Sequence, residues 1–403
     1  MRKIKIYKLG ALIVLFLLLF NIYSAEYYEI NIYNTQYSPT PVPFQQDIAI
    51  CNGTVSLRSN FSYINNATLF NKINPNGQNV FFFRNLLNPT GSILYSWYNG
   101  QININGVFCD VWWVKLPDGI SANSTLTIYM YVGNTSDNFY VLYYPYVGAP
   151  IQVLGTSQYD NGNNVFNYYQ NFGNLSSLPS GWNNLGSVSV TYNINYTRYV
   201  QTSAYYWYYG LYRSLPSSIA GSSFLIGTYV YSYPNGNTNY FGITNQTPVI
   251  SNRNYYTVYT SLPQGYNFVL LNVNSSSSSS TIAYLTRVPG WITGSYQDIY
   301  WVFISAYPPN GVMPSISIVP VMENLTIILN QSSANVNPGQ TISINVSANN
   351  TLGNNMTLQC LPPSGVTCSP TQVNITSGGS YIFTITAPSN VNSYQQYNIT
   401  FLA

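Results

Sequence analysis

The chain has 403 residues, 5% of them charged and 46% hydrophobic, with 41 tyrosines, four cysteines and no histidine. That length exceeds the usual span of one domain, and so little charge, against the roughly 25% of ordinary soluble domains, leaves amides and hydroxyls to hydrate the surface. The missing histidine excludes Ser-His-Asp and Cys-His catalysis and any His-ligated metal, and the formal +3 charge gathers in Arg2, Lys3, Lys5 and Lys8, leaving no basic face for nucleic acid.

Those four basic residues, an apolar run over residues 9 to 20 and the small pair Ser24-Ala25 have the parts of a secretory signal. The run is short for a bilayer span. Residues 1–25 therefore read as a cleaved signal peptide with a mature start near Glu26, or as an uncleaved membrane anchor. Either reading places the rest of the chain outside the cytoplasm, at the cell surface or secreted, touching a membrane only through this segment.

Beyond Ala25 the sequence is a succession of short runs rich in Tyr, Val, Ile, Phe and Thr, cut by Gly, Pro, Asn and Ser. Such runs read as β-strands, and no later segment has a convincing helical period. The expected fold is all-β, with tandem β-sandwich or jelly-roll domains following the leader. Gly148-Ala149-Pro150 and the Pro-rich stretch from Tyr307 to Pro314 mark two boundaries. They divide the chain into 26–148, 149–321 and 322–403. Residues 275–280 are polyserine, expected as a loop inside the second domain. In the third, residues 341–348 and 381–386 alternate apolar with polar, as half-buried strands do.

Export makes disulfides the natural state of the cysteines. Even pairing within domains gives Cys51 with Cys109 and Cys360 with Cys368. The second pair closes a short loop and is expected to pin a hairpin.

Three stretches carry resemblances. Residues 29 to 172 resemble an uncharacterised domain family of prokaryotic, especially archaeal, surface proteins. The matching residues are Asn34-Thr35-Gln36, Pro39 to Pro43 with Phe44-Gln45, Val111-Trp112-Trp113-Val114-Lys115-Leu116-Pro117 and Ile128-Tyr129-Met130-Tyr131-Val132-Gly133-Asn134. The segment from Tyr159 to Phe166, Ser180-Gly181-Trp182 and Asp298-Ile299-Tyr300-Trp301-Val302-Phe303 resemble the opening, first and last core strands of a concanavalin-A-like lectin or glucanase-type jelly roll. The chain departs from that pattern in lacking charge around Trp301. Asn337-Pro338-Gly339-Gln340-Thr341 is similar to the turn and strand of an immunoglobulin-like module. These resemblances imply a surface location and a sandwich fold, and say less about activity.

A glycosidase needs two carboxylates, and hydrolytic jelly rolls of that type set acidic residues two apart on one strand. No two of the nine acidic residues here are two positions apart, so the chain is expected not to be an enzyme. Tyr205-Tyr206-Trp207-Tyr208-Tyr209 is the densest aromatic run. As a strand it would turn Tyr205, Trp207 and Tyr209 to one face and Tyr206 and Tyr208 to the other. It is the expected carbohydrate platform, or simply half-buried strand in a tyrosine-rich protein. Asp160, Asn161 and Asn163 offer oxygen ligands for calcium, the one cofactor suggested, or form an Asx-rich turn. Sequons at Asn52, Asn60, Asn66, Asn123, Asn134, Asn174, Asn195, Asn245, Asn274, Asn324, Asn330, Asn345, Asn349, Asn355, Asn374 and Asn398 would supply hydration if glycosylated. Asn345 is expected on an outward polar face. Together these features predict an exported binding or adhesion protein whose partner is a glycan or a surface protein, with a self-assembling envelope or appendage component as the alternative and a glycoside hydrolase as the third reading.

Overall fold

The computed structural model describes residues 26–55, 61–104, 106–205, 207–249, 256–274, 281–289, 292–321, 325–331, 333–350, 355–390 and 399–402. The leader, the polyserine segment and Tyr206 lie outside the described residues. The fold is all-β, as the strand pattern predicts: six sheets, with helices of only three to five residues among the described segments. No helix among them is long and apolar enough to cross a membrane. The chain forms two compact units, one holding residues up to 84 and from 93 to 319, the other 85–92 with 320–403.

The first unit contains two sandwiches. In one, a four-stranded sheet runs Ser315–Pro320, Glu26–Asn34, Ser124–Val132, Val80–Phe83. A five-stranded sheet runs Tyr63–Asn65, Phe44–Cys51, Val107–Leu116, Ser96–Ile104, Val147–Gly148. Strand Glu26–Asn34 obeys the period of two: Tyr28, Ile30 and Ile32 are buried while their neighbours are partly open. Strand Val107–Leu116 is instead buried from Cys109 to Val114 without a break, because both its faces are covered. Trp112 turns inward against Phe82 and Tyr98, at ring separations of 5.9 and 4.8 Å. Trp113 turns the other way and meets Phe303 of the second sandwich at 4.9 Å, and Trp97 beside it meets Trp301 at 5.1 Å. Hydrogen bonds help to fix this junction: among them, Ala306 N–H donates to Gln45 Oε1 (2.8 Å), and Gln45 Nε2 donates to the Val165 carbonyl (3.1 Å).

The second sandwich pairs a sheet ordered Trp182–Leu185, Tyr208–Ser214, Thr281–Arg287, Thr238–Thr244, Tyr256–Leu262 with one ordered Val188–Tyr192, Thr197–Gln201, Tyr296–Ala306, Phe224–Tyr233, Gly265–Val273. Strand Tyr168–Asn171 adds to the latter by pairing with Tyr296–Ala306. Its core is apolar, with Phe172, Trp182, Leu211, Ile226, Phe241, Ile282, Tyr284 and Val302. The chain then returns to the first sandwich as strand Ser315–Pro320, where Tyr33 and Ser317 hydroxyls meet at 2.9 Å.

In the second unit, a sheet ordered Leu325–Leu329, Thr341–Asn350, Ser380–Thr386, Thr367–Ser369 faces one ordered Gln372–Ile375, Met356–Leu361, Thr400–Leu402. Val346, Leu358, Phe383 and Ile385 lie between them. Both expected disulfides are present. Cys51 and Cys109 sit directly opposite each other on adjacent strands. Cys360 and Cys368 lie in different sheets, on Met356–Leu361 and Thr367–Ser369. The expectation of a pinned hairpin is corrected: this bond joins the two layers of the last sandwich.

Candidate functional site

The outer face of the sheet containing Tyr208–Ser214 has a distinctive composition. Inward positions of that sheet are Leu211, Ile282, Tyr284, Phe241 and Ile243, all core, so the alternate positions face outward. Register aligns them in rows across the strands. Tyr208, Arg287 and Thr238 form one row, Leu185, Gly210, Leu285, Tyr240 and Ser261 the next, and Asn183, Tyr212, Ala283, Gly242 and Tyr259 the third. The middle of the face thus holds Gly210, Ala283 and Gly242, with Leu185, Tyr208, Ala283 and Leu285 packed as a small apolar cluster against Tyr212. Tyrosines surround this floor. Tyr240 and Tyr259 contact each other edge to face at 5.7 Å, and Tyr259 is 54% exposed.

The glycines are there by necessity. A Cβ on Gly210 would lie 1.9 Å from the Tyr284 carbonyl oxygen, and one on Gly242 would lie 2.4 Å from that of Val258. Neighbouring backbones occupy the space of a side chain, and the floor lies buried beneath the surrounding side chains, with Ala283 and Leu285 closed to solvent. Burial pushes the Tyr208 phenol above its ordinary range; the Arg287 guanidinium opposes this, and the Tyr240 and Tyr259 hydroxyls reinforce it. Four polar tips therefore share one patch. Among the described residues it carries no carboxylate, and its chemistry is stacking and hydrogen bonding.

The expected aromatic platform is placed only in part. The strand begins at Tyr208, so Tyr205 and Trp207 precede it, and the alternation expected over residues 205–209 does not hold. Tyr205 is 76% and Trp207 40% exposed. Trp207 stands beside the face, with the Arg287 guanidinium 5.5 Å from its ring centre. Tyr208 lies on the face, Tyr209 is fully buried on the core side, and Tyr206 lies outside the described residues. Sequence reasoning missed Tyr212, Tyr240, Tyr259 and Arg287. Their local signals, Tyr240 and Gly242 two positions apart and Tyr259 in an alternating run, acquire meaning only when the register sets them side by side.

Asp160 lies at the junction of the two sandwiches. Its carboxylate accepts from Trp97 Nε1 (3.1 Å), Gly162 N–H (3.2 Å), Tyr169 OH (2.8 Å) and Asn171 Nδ2 (2.5 Å). Burial raises its pKa and these four donors pull it back. Asn161 Nδ2 donates to the carbonyls of Ser96, Pro145 and Tyr146, while Asn163 is exposed. A calcium ion at Asp160 would displace donors already in place. The arrangement acts as a polar clasp between the sandwiches.

Sequon residues Asn52, Asn123, Asn134, Asn174, Asn245, Asn274, Asn330, Asn349, Asn355 and Asn374 are exposed, and Asn66 and Asn195 are half-buried. Asn345 alternates with the core residues Ile344 and Val346 and so lies on the outer face of its strand, where it is half-buried with its Oδ1 enclosed. Asn60, Asn324 and Asn398 lie outside the described residues.

The opposite sheet of this sandwich has an outer face of another kind. Tyr196, Tyr229, Tyr231, Tyr233, Tyr266, Tyr296 and Tyr300 contact one another in a continuous lattice. Arg198 bonds both oxygens of Asp298 at 2.6 and 2.8 Å and lies 4.2 Å from the Tyr296 ring centre. Among the described residues this face carries one charge pair, and it is internally compensated.

The fold is all-β, and both outer faces of the second sandwich are rich in tyrosine. No family model matches the chain. A stretch of 177 residues is 36% identical to the uncharacterized protein 562 of Sulfolobus islandicus rod-shaped virus 1, covering 42% of this chain and 26% of that protein. The chain thus spans about a quarter of that relative's length. Among solved structures, it is similar to a family 29 carbohydrate-binding module from Piromyces equi (11% identity, TM-score 0.26, covering 34% of this chain and 91% of the module). It is also similar to a xylan-binding domain from Paenibacillus barcinonensis (14% identity, TM-score 0.25, covering 34% and 94%). At such identities and scores, no residue or face of those modules maps onto this chain.

Proposed function

We propose that this chain is an exported, non-catalytic cell-surface protein that binds carbohydrate on the outer face of the sheet carrying Tyr208, Tyr212, Tyr240 and Tyr259. The observation that carries the reading is the ring of tyrosines around a floor of Gly210, Ala283 and Gly242. Flat amphipathic rings stack on the apolar faces of sugars, and their hydroxyls bond sugar hydroxyls. Two disulfides and a nearly uncharged surface suit a location outside the cytoplasm.

A glycan microarray probed with the full chain tests this. Selective binding is expected, with Tyr240→Ala and Tyr259→Ala each weakening it about fivefold, or ~1 kcal/mol per lost ring. Tyr266→Ala, on the opposite sheet, should leave binding unchanged. Binding to no glycan, or equal loss in all three variants, would overturn the proposal. The tyrosine lattice around the Arg198–Asp298 pair favours a second reading, a coat component that self-assembles through that face. Ordered assemblies in electron micrographs that Tyr266→Ala abolishes would favour it.

A further inference from the structure

Arg287 stands apart among the described basic residues. Lys72 pairs with Glu26, Arg84 with Asp118 and Arg198 with Asp298. Lys115 donates to the Asn164 carbonyl and Arg213 to that of Ser180. Among the described residues the Arg287 side chain meets no carboxylate and no carbonyl, and it packs over the face of Trp207. It is exposed and lies on the tyrosine face, in the row of Tyr208 and Thr238. In a chain with 5% charge, an uncompensated guanidinium amid aromatic rings presents an open fork of donors to whatever occupies the face. A neutral sugar gains little from the full charge, whereas a planar carboxylate or a sulfate ester takes two parallel hydrogen bonds from it.

We infer that the face selects acidic glycans, with Arg287 binding the anionic group of a uronic acid or sulfated sugar while Trp207 and Tyr208 flank the same residue of the chain. This rests on the carbohydrate reading and names the ligand class within it. Trp207 keeps the guanidinium extended over its ring, so the fork is oriented before ligand arrives.

The test titrates full-length protein with polygalacturonate, dextran sulfate, and unsubstituted dextran and mannan. At low salt, one or both acidic polymers should bind at least about tenfold tighter than the neutral ones, and the advantage should shrink as salt screens the charge. Polygalacturonate against dextran sulfate distinguishes carboxylate from sulfate. Arg287→Gln should remove the acidic preference without changing the melting temperature, Arg287→Lys should restore part of it, and Arg84→Gln, on the first sandwich, should retain it in full. Binding to neutral polymers with no acidic preference, or a preference that survives Arg287→Gln, overturns the inference and leaves the carbohydrate reading standing. Binding to no polymer overturns both.

Discussion

Asp47 is fully buried in strand Phe44–Cys51, where it accepts from Ser62 N–H at 2.6 Å. Burial raises its pKa to about 8, against the pull of backbone hydrogen bonds. Asp110, which accepts from Tyr98 OH at 2.5 Å, is raised by burial to about 7. In the folded chain these carboxyls keep their protons at pH values where the unfolded chain has already lost them. The unfolded state therefore binds fewer protons, and stability falls as pH rises from about 4, the ordinary aspartate range, through those two values. Below that window the contribution is fully present. Urea titrations across it should show a declining free energy of unfolding, with a shallower decline in Asp47→Asn; a flat or rising wild-type profile would refute the assignment. Gly210 offers a second check at this scale. Its Cβ would press on the Tyr284 carbonyl, so Gly210→Ala should cost about 3 kcal/mol, read as a shift in the urea midpoint.

At the scale of elements, strand identity was legible in the sequence where one face is wet and one dry. The strands Glu26–Asn34 and Thr341–Asn350 show this, with Ile30, Ile32, Val346 and Ala348 inside. Legibility failed where both faces are covered, or where aromatic residues fill every position. Trp112 and Trp113 read alike in sequence, yet one packs within its sandwich and the other against the next. The run from Tyr205 to Tyr209 has no polar member to set its phase, so only the register separates buried Tyr209 from its neighbours. The candidate face shares this limit, since Tyr212, Tyr240 and Tyr259 converge through strand order that no local pattern encodes. The cysteines were paired correctly, and their loops differ: the bonds span 58 and 8 residues. Loop-closure entropy then predicts losses of about 4 kcal/mol for Cys51→Ser with Cys109→Ser and about 2.5 kcal/mol for Cys360→Ser with Cys368→Ser. The second double variant should leave melting of the first two sandwiches unchanged, as calorimetry would show.

For the molecule as a whole, the boundary drawn after residue 148 cuts through a well-packed junction. Trp97, Trp113, Phe166, Trp301 and Phe303 interlock there, and Gln45 bonds the second sandwich directly. Gly148 ends a short strand and Pro150 caps the helix Ile151–Leu154, and neither residue discloses what later packs beside it. Residues 26–321 should therefore melt in a single transition. A piece comprising 149–321 alone would bare the large aromatic side chains of that junction and should aggregate or melt well below the longer piece. Two separate transitions in residues 26–321 would count against this.

The homecoming of Ser315–Pro320 to the first sandwich has a consequence for biosynthesis. The hydroxyls of Tyr33 and Ser317 meet across 284 positions of sequence, and the strand carrying Ser317 completes a sheet begun at residue 26. A ribosome would have released almost the whole of both sandwiches before the first could close. Its early strands must wait, partly unpartnered, while the second sandwich is made, and closing so long a loop is slow. Arrested nascent chains ending shortly before residue 315 should accordingly stay sensitive to protease in their first hundred or so residues, and those extended past residue 320 and clear of the exit tunnel should become resistant.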